Sequence, residues 1–298
     1  AIFITVDGQA VRLGLHGLPR EKLPKFWPVL RNGWYWFLPV LVILVTLSVF
    51  RYDPARCGFI ALLSIFPLTF LKRERRFTLK SLAQTSQGSM LTMLSPGLAC
   101  GLAGALIGAV QMSGVGIKLS AMIVHFAAGN TVLLLVMAAF AAFILGMGLP
   151  AIPVYMVVVV LVAPALVKTG IPLLTSHMFV FYWGMLSFVT PPVAIAAYVA
   201  SAIARSDPIK TALWASRLAI VAILIPFGMV YNPGIMLSGP PLYLIRTVML
   251  AAAGTVAIAF GMSGYSFSRV NWFQSILFVS GGFSMYLPHW WLFVPGLA

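Results

Sequence analysis

The 298 residues read as an all-α, polytopic membrane protein. Hydrophobic residues make up 61% of the chain and charged ones only 8%, against roughly 25% charged in soluble domains. The apolar residues fall into runs near the roughly 20 residues that cross a bilayer as a helix. The formal charge of +14 comes from Lys and Arg collected mainly between those runs, where cytoplasmic loops concentrate them. A water-soluble enzyme is excluded, and a basic balance of this origin reports topology and not a nucleic-acid ligand.

The chain opens on Ala1, which fits both Met removal and the cut end of a longer polypeptide. Its first residues are too polar for a signal-peptide core. Residues 1–33 form a cytoplasmic lead-in, punctuated by Pro19, Pro24 and Pro28 and carrying Arg12, Arg20, Lys22, Lys25 and Arg31. The cluster Trp34, Tyr35, Trp36 and Phe37 suits a membrane interface and begins a scaffold region, 34–112. There a first span runs to residue 50, a loop at 51–56 faces outside, and a second apolar run covers 58–71. The positive-inside rule places the charge-dense LKRERRFTLK, 71–80, in the cytoplasm. After a polar surface stretch, 81–87, comes a Gly-rich span from about 90 to 110. Its Gly97, Gly101, Gly104 and Gly108 recur at helical spacing, which predicts close packing of another helix.

Residues 113–130, with Lys118 and His125, predict a short interfacial helix and open a region that extends to 231. From 131 to 167 the chain is apolar, but GMGLPAIP (146–153) divides it into two pieces too short to span a bilayer. A re-entrant hairpin with a Gly/Pro tip is the prediction, since such a backbone survives at membrane depth only against protein or a watery cavity. The next segment, 176–204, is interrupted by SFVTPPVA (187–194). Pro191 and Pro192 remove two donors and force Thr190 from helical geometry, so the helix should break and free its carbonyls. The loop with Arg205, Asp207, Lys210 and Arg217 reads as cytoplasmic, with Ser206 or Asp207 capping a helix that starts at Pro208. A span from about 218 to 231 ends at Asn232, Pro233 and Gly234. Two more spans, about 242–262 and 273–293, form a C-terminal extension, 232–298, flanked by Arg246, Arg269, Trp272, Trp290 and Trp291.

Paired interruptions in successive membrane elements point to a transporter's binding site. Half-helix N-termini attract anions, and unwound carbonyls hold a bare cation such as sodium. Plain kinks re-satisfied by neighbouring helices are the alternative, and two clustered breaks weigh against it. Catalysis lacks its groups: Asp7, Glu21, Asp53, Glu74 and Asp207 all fall in loops or at their edges, so no carboxylate pair lies in the membrane and the chain is not read as an enzyme. His16, His125, His177 and His289 have no partner at i, i+4, and Cys57 and Cys100 form no CxxC. No transition-metal site and no organic cofactor are expected. Lys118 and Lys168 flank the hairpin as snorkelling anchors. With no ionisable residue buried in a span, sodium is favoured over protons as the coupling ion.

The block that opens with LGMGLPAIPVY at residue 145 and runs through SFVTPPVAIAAYVASAIARSDPIK resembles the large membrane subunit of TRAP transporters, in the fused-permease form that works with TAXI-type binding proteins. At lower specificity the likeness extends from the start of the chain to about Tyr231. It implies an elevator-type ion-transporter fold of inverted repeats, each with a re-entrant helical hairpin and a discontinuous helix, in a bacterial or archaeal inner membrane. It implies sodium-coupled import of an organic acid or amino acid delivered by a periplasmic solute-binding protein of TAXI type. A small membrane subunit or its fused equivalent completes such a system. Carried over to this sequence, Gly146, Met147, Gly148 and Pro150 at the tip and Ser187, Thr190, Pro191 and Pro192 at the break hold the ion, with the Thr190 hydroxyl as the leading side-chain oxygen. Leu149, Tyr155 and Thr190 face substrate, a packing role for Tyr155 being equally open. One pair of interruptions is found where the family has two, so the chain resembles the C-terminal part of a longer permease. The helices beyond Tyr231 match the extension of the fused form and lie off the site. Two other readings stand beside this one: an elevator transporter needing no binding protein, and an inactive or scaffold fragment.

Overall fold

A computed structural model describes residues 2–15, 23, 25–69, 79–265, 268 and 270–287. Several residues discussed above lie outside that set: Pro19, Arg20, Glu21, Lys22 and Pro24, the charge run at 71–78, Arg269, His16, His289, Trp290 and Trp291. Every regular element among the described residues is helical, the solution that satisfies all backbone groups within one segment in lipid. Among the described residues, four stretches are long and apolar enough to cross a membrane: Lys80–Ser113, Ala151–Lys168, Pro208–Tyr231 and Pro241–Ser263. The chain is an all-α, multi-pass membrane protein that divides into two units, Gly17–Ser95 and Ala1–His16 with Pro96–Ala298.

In the smaller unit, α2 (Phe26–Gly33) leads through a 3-10 turn, Trp34–Phe37, into α3 (Leu38–Ser48), and α4 (Pro54–Thr69) packs back on α3. Helix α4 starts four residues before the apolar run because Asp53 Oδ1 accepts the Arg56 N–H at 3.1 Å, with Pro54 at the first helical position. Cys57 is buried at this corner. Helix α5 (Leu79–Ser113) begins in this unit and ends in the next.

Along α5 one expectation fails among the described residues, the packing of a helix on its glycines. The polar stretch at 81–87 is part of the helix, because Ser, Gln and Thr on an exposed face cost only a few tenths of a kcal/mol each in propensity. The glycines Gly97, Gly101, Gly104 and Gly108 have no described residue within 4 Å of a Cβ built on them. The strip is present and unoccupied.

The larger unit holds α1 (Ile2–Arg12) and α6 to α15: Val115–Ala127, Thr131–Gly146, Ala151–Leu161, Ala163–Lys168, Leu173–Leu186, Ile195–Ala204, Pro208–Leu218, Ile220–Tyr231, Pro241–Ser263 and Trp272–Ser284. Asn130 starts α7 by accepting the Leu133 N–H at 3.1 Å. Helices α8 and α9 form one kinked rod, since Pro164 lacks the N–H that would bond back to Val160. The main core joins Leu135, Ala138 and Ala142 of α7, Val154 and Val158 of α8, and Phe179 and Val180 of α10. In lipid such a core is held by close packing more than by escape from water, which explains its wealth of Ala and Val.

Helices α13, α14 and α15 form a second cluster around Val221, Ile258 and Tyr286. Its polar junction is Asn232, buried, whose side chain donates to the Tyr286 carbonyl at 3.1 Å and accepts from the Gly234 N–H at 3.1 Å and from Tyr243 Oη at 2.7 Å.

Candidate functional site

Helix α7 ends where its sequence stops allowing a helix. Gly148 sits at φ 78° in the left-handed region, and Pro150 is extended at φ −61°, ψ 161° before α8 begins. The tip is therefore the short bridge of Met147, Gly148, Leu149 and Pro150.

Helix α10 stops at Leu186, and α11 starts at Ile195 after a left-handed Ala194. Between them runs the Ser187 to Ala194 break, with a cis bond between Pro191 and Pro192. Most of its carbonyls find partners. The Ala194 N–H lies 3.2 Å from both the Ser187 and Thr190 oxygens, and the Ala196 N–H donates to Phe188 at 3.0 Å. Tyr198 Oη donates to the Pro192 carbonyl at 2.7 Å, and Ser216 Oγ of α12 to that of Val189 at 3.2 Å. The freed carbonyls that two prolines suggested are thus mostly taken up locally, although each keeps a second lone pair.

Tip and break meet. Ser187 is 1% exposed, and its Oγ lies 3.0 Å from the Gly146 carbonyl and 2.8 Å from that of Gly184. One hydroxyl proton is shared between the two helices. The approach is close enough to demand glycine on both sides. A Cβ at Gly146 would lie 2.6 Å from the Gly184 oxygen, and one at Gly184 would lie 2.6 Å from Val154 Cγ1.

Two polar atoms on the α10 side are buried with no hydrogen-bond partner among the described residues: Thr190 Oγ1 and Trp183 Nε1. Leaving such a group unsatisfied costs about 1–3 kcal/mol. Gly148 and Pro192 are exposed, while Met147, Leu149, Pro150 and Pro191 are half-buried; Leu149 packs on the main core.

Tyr155, one turn beyond the tip on α8, bonds neither tip nor break. Its Oη lies 3.0 Å from His177 Nδ1, and its ring meets Phe181 edge-on at 5.7 Å. The pair lines an open apolar cavity of about 600 Å³ with Ile152, Leu174 and Met178. His177 has no partner at helical spacing in the sequence; its partner is 22 positions away on another helix. Trp183 was likewise invisible, since only the packed structure shows its N–H to be unpaired.

The electrostatics are simple. Between residues 131 and 204 the sole charged side chain is Lys168, which is exposed. No cluster of His, Cys, Asp and Glu able to hold a metal occurs among the described residues.

A family model described as the tripartite ATP-independent periplasmic transporter, DctM component, matches residues 1–240. No curated protein and no solved structure matches the chain.

Proposed function

The chain belongs to the DctM component family of tripartite ATP-independent periplasmic (TRAP) transporters, and from that membership we propose that it is the permease of a sodium-coupled secondary importer of the elevator type. The family is one of transporters whose large membrane component works with a periplasmic binding protein and a small subunit. On this reading the permease sits in the inner membrane and takes an organic acid or amino acid from a TAXI-type binding protein. Residues 131–167 form the re-entrant hairpin, with a second arm that is longer than the sequence suggested, since Ala151–Lys168 has the length and composition to cross a membrane, and α10 and α11 are halves of one discontinuous helix.

One observation carries the reading: the tip and the break touch through Ser187, and a buried, unpartnered Thr190 hydroxyl lies on the same break. An orphan oxygen beside main-chain carbonyls with a lone pair to spare suits a cation that has shed its water. Thr190 supplies the side-chain ligand, and carbonyls of the tip (Gly146, Met147, Gly148, Pro150) and of the break (Ser187, Pro191, Pro192) supply the remainder. Leu149 and Tyr155 border the substrate.

Charge gives the coupling. The segment has no carboxylate to neutralise a bound sodium ion, so sodium leaves the cavity positive and raises its affinity for an anionic substrate. By linkage the substrate raises sodium affinity by the same factor. A fixed Asp at this place would hold the ion without the substrate and weaken that coupling.

The test is uptake into proteoliposomes that contain the permease with its small subunit or fused equivalent, under an imposed sodium gradient and with the neighbouring binding protein added. Uptake that requires both gradient and binding protein is the expected result. Uptake with sodium alone would remove the binding protein from the proposal, and uptake indifferent to sodium would remove the ion site.

A further inference from the structure

Two arginines from separate elements converge where α14 ends. Gly264 closes that helix in the left-handed region at φ 66°, its N–H bonded to the Phe260 carbonyl at 3.1 Å. A Cβ on Gly264 would lie 2.7 Å from Arg12 Nη1, so the guanidinium at the end of α1 rests directly on this glycine. Arg217, in the last turn of α12, donates from Nη2 to the Met262 carbonyl at 3.4 Å and lies 5.1 Å from the Trp214 ring centre. Neither arginine forms an ion pair among the described residues.

Capping the C-terminus of α14 accounts for part of this arrangement. A helix end offers about half an elementary negative charge, against two full positive ones. The surplus lies beside a cavity of about 640 Å³ that both arginines line. Its walls are mainly apolar, built from Leu224, Ile276, Val279 and Phe283 with Ser275 and Ser280 between them, and Trp272, 72% exposed, also lines it. A basic end on a mainly apolar trough, lined in part by an interfacial tryptophan, has the polarity of one kind of molecule.

We propose that this cavity holds an anionic phospholipid, its phosphate bridging Arg12 and Arg217 and an acyl chain lying against Leu224, Val279 and Phe283. Guanidinium forks match phosphate oxygens in pairs, and basic pockets between membrane helices suit anionic headgroups. The lipid would fasten the C-terminal helices α14 and α15 to α1 and α12 in the cytoplasmic leaflet, where Arg and Lys concentrate.

The experiment exposes the purified, delipidated chain to an equal mixture of dioleoyl phosphatidylglycerol and dioleoyl phosphatidylcholine and reads retained lipid by native mass spectrometry. The wild-type chain should retain phosphatidylglycerol with an enrichment on the order of tenfold. Arg12→Gln with Arg217→Gln should bring the ratio to that of the mixture, and Arg12→Lys with Arg217→Lys should keep part of it. Val279→Trp fills the trough while leaving both guanidiniums, and should abolish the enrichment if the glutamine variant does not fold. Equal retention of the two lipids by the wild-type chain would overturn the proposal, as would enrichment that survives Val279→Trp. Full displacement of phosphatidylglycerol by glycerol 3-phosphate at matched concentration would make this a site for a soluble anion and sink the lipid assignment.

Discussion

The Ser187 hydroxyl has one proton and two carbonyls to satisfy, and one of those carbonyls belongs to the hairpin tip. Ser187→Ala should cost about 1–2 kcal/mol, read as a lowered unfolding temperature in detergent, and should raise the sodium concentration needed for half-maximal uptake. Thr190 behaves differently, because its hydroxyl finds no partner among the described residues. Thr190→Val keeps the shape and removes an unsatisfied buried group, so stability without sodium should be unchanged or rise by up to about 1 kcal/mol. Thermal protection by sodium should then disappear. Loss of sodium dependence in Thr190→Ala with none in Lys168→Ala would agree, while equal effects of the two in sodium-titrated uptake would remove Thr190 from the ion site. The sequence pointed to Thr190 through its place before two prolines. It gave no hint that the hydroxyl would end up alone, since that depends on Ala194, Ala196, Tyr198 and Ser216 having taken the neighbouring carbonyls.

Helices here are joined by main-chain approach at the site and by side-chain junctions away from it. Gly146→Ala and Gly184→Ala each place a methyl group where no atom fits. Each should destabilise by about 1–3 kcal/mol through overpacking, seen as a lower unfolding temperature, whereas Gly148→Ala meets open space and is strained only by its positive φ. At the other junction, Asn232→Ala leaves the Tyr286 carbonyl, the Gly234 N–H and the Tyr243 hydroxyl without their shared partner. A loss of about 1–3 kcal/mol is expected, with faster proteolysis between α13 and α14. Which elements are interrupted was legible, because GMGLP and TPP stand at the ends of α7 and α10. The fate of the glycines in α5 was not: spacing says that a helix could approach, and none among the described residues does.

For the whole molecule, the composition and the basic loops carry the membrane assignment, and the family match over residues 1–240 agrees with the resemblance drawn from residues 145–210. Orientation can be tested directly. On a background with Cys57→Ala and Cys100→Ala, Ser206→Cys should react with an impermeant maleimide only from the cytoplasmic side and Ser238→Cys only from the outer side. Both positions are exposed, so reaction of both from the same side would discard the proposed topology, and the opposite pattern would reverse it. The meeting of Gly146 and Gly184 has a longer-range consequence. Because the contact is made of peptide groups, the side chains around the cavity beside Tyr155 can drift or be redesigned without disturbing it. Altering what such a permease carries should therefore be a matter of repainting one wall, and its energy source should survive the change.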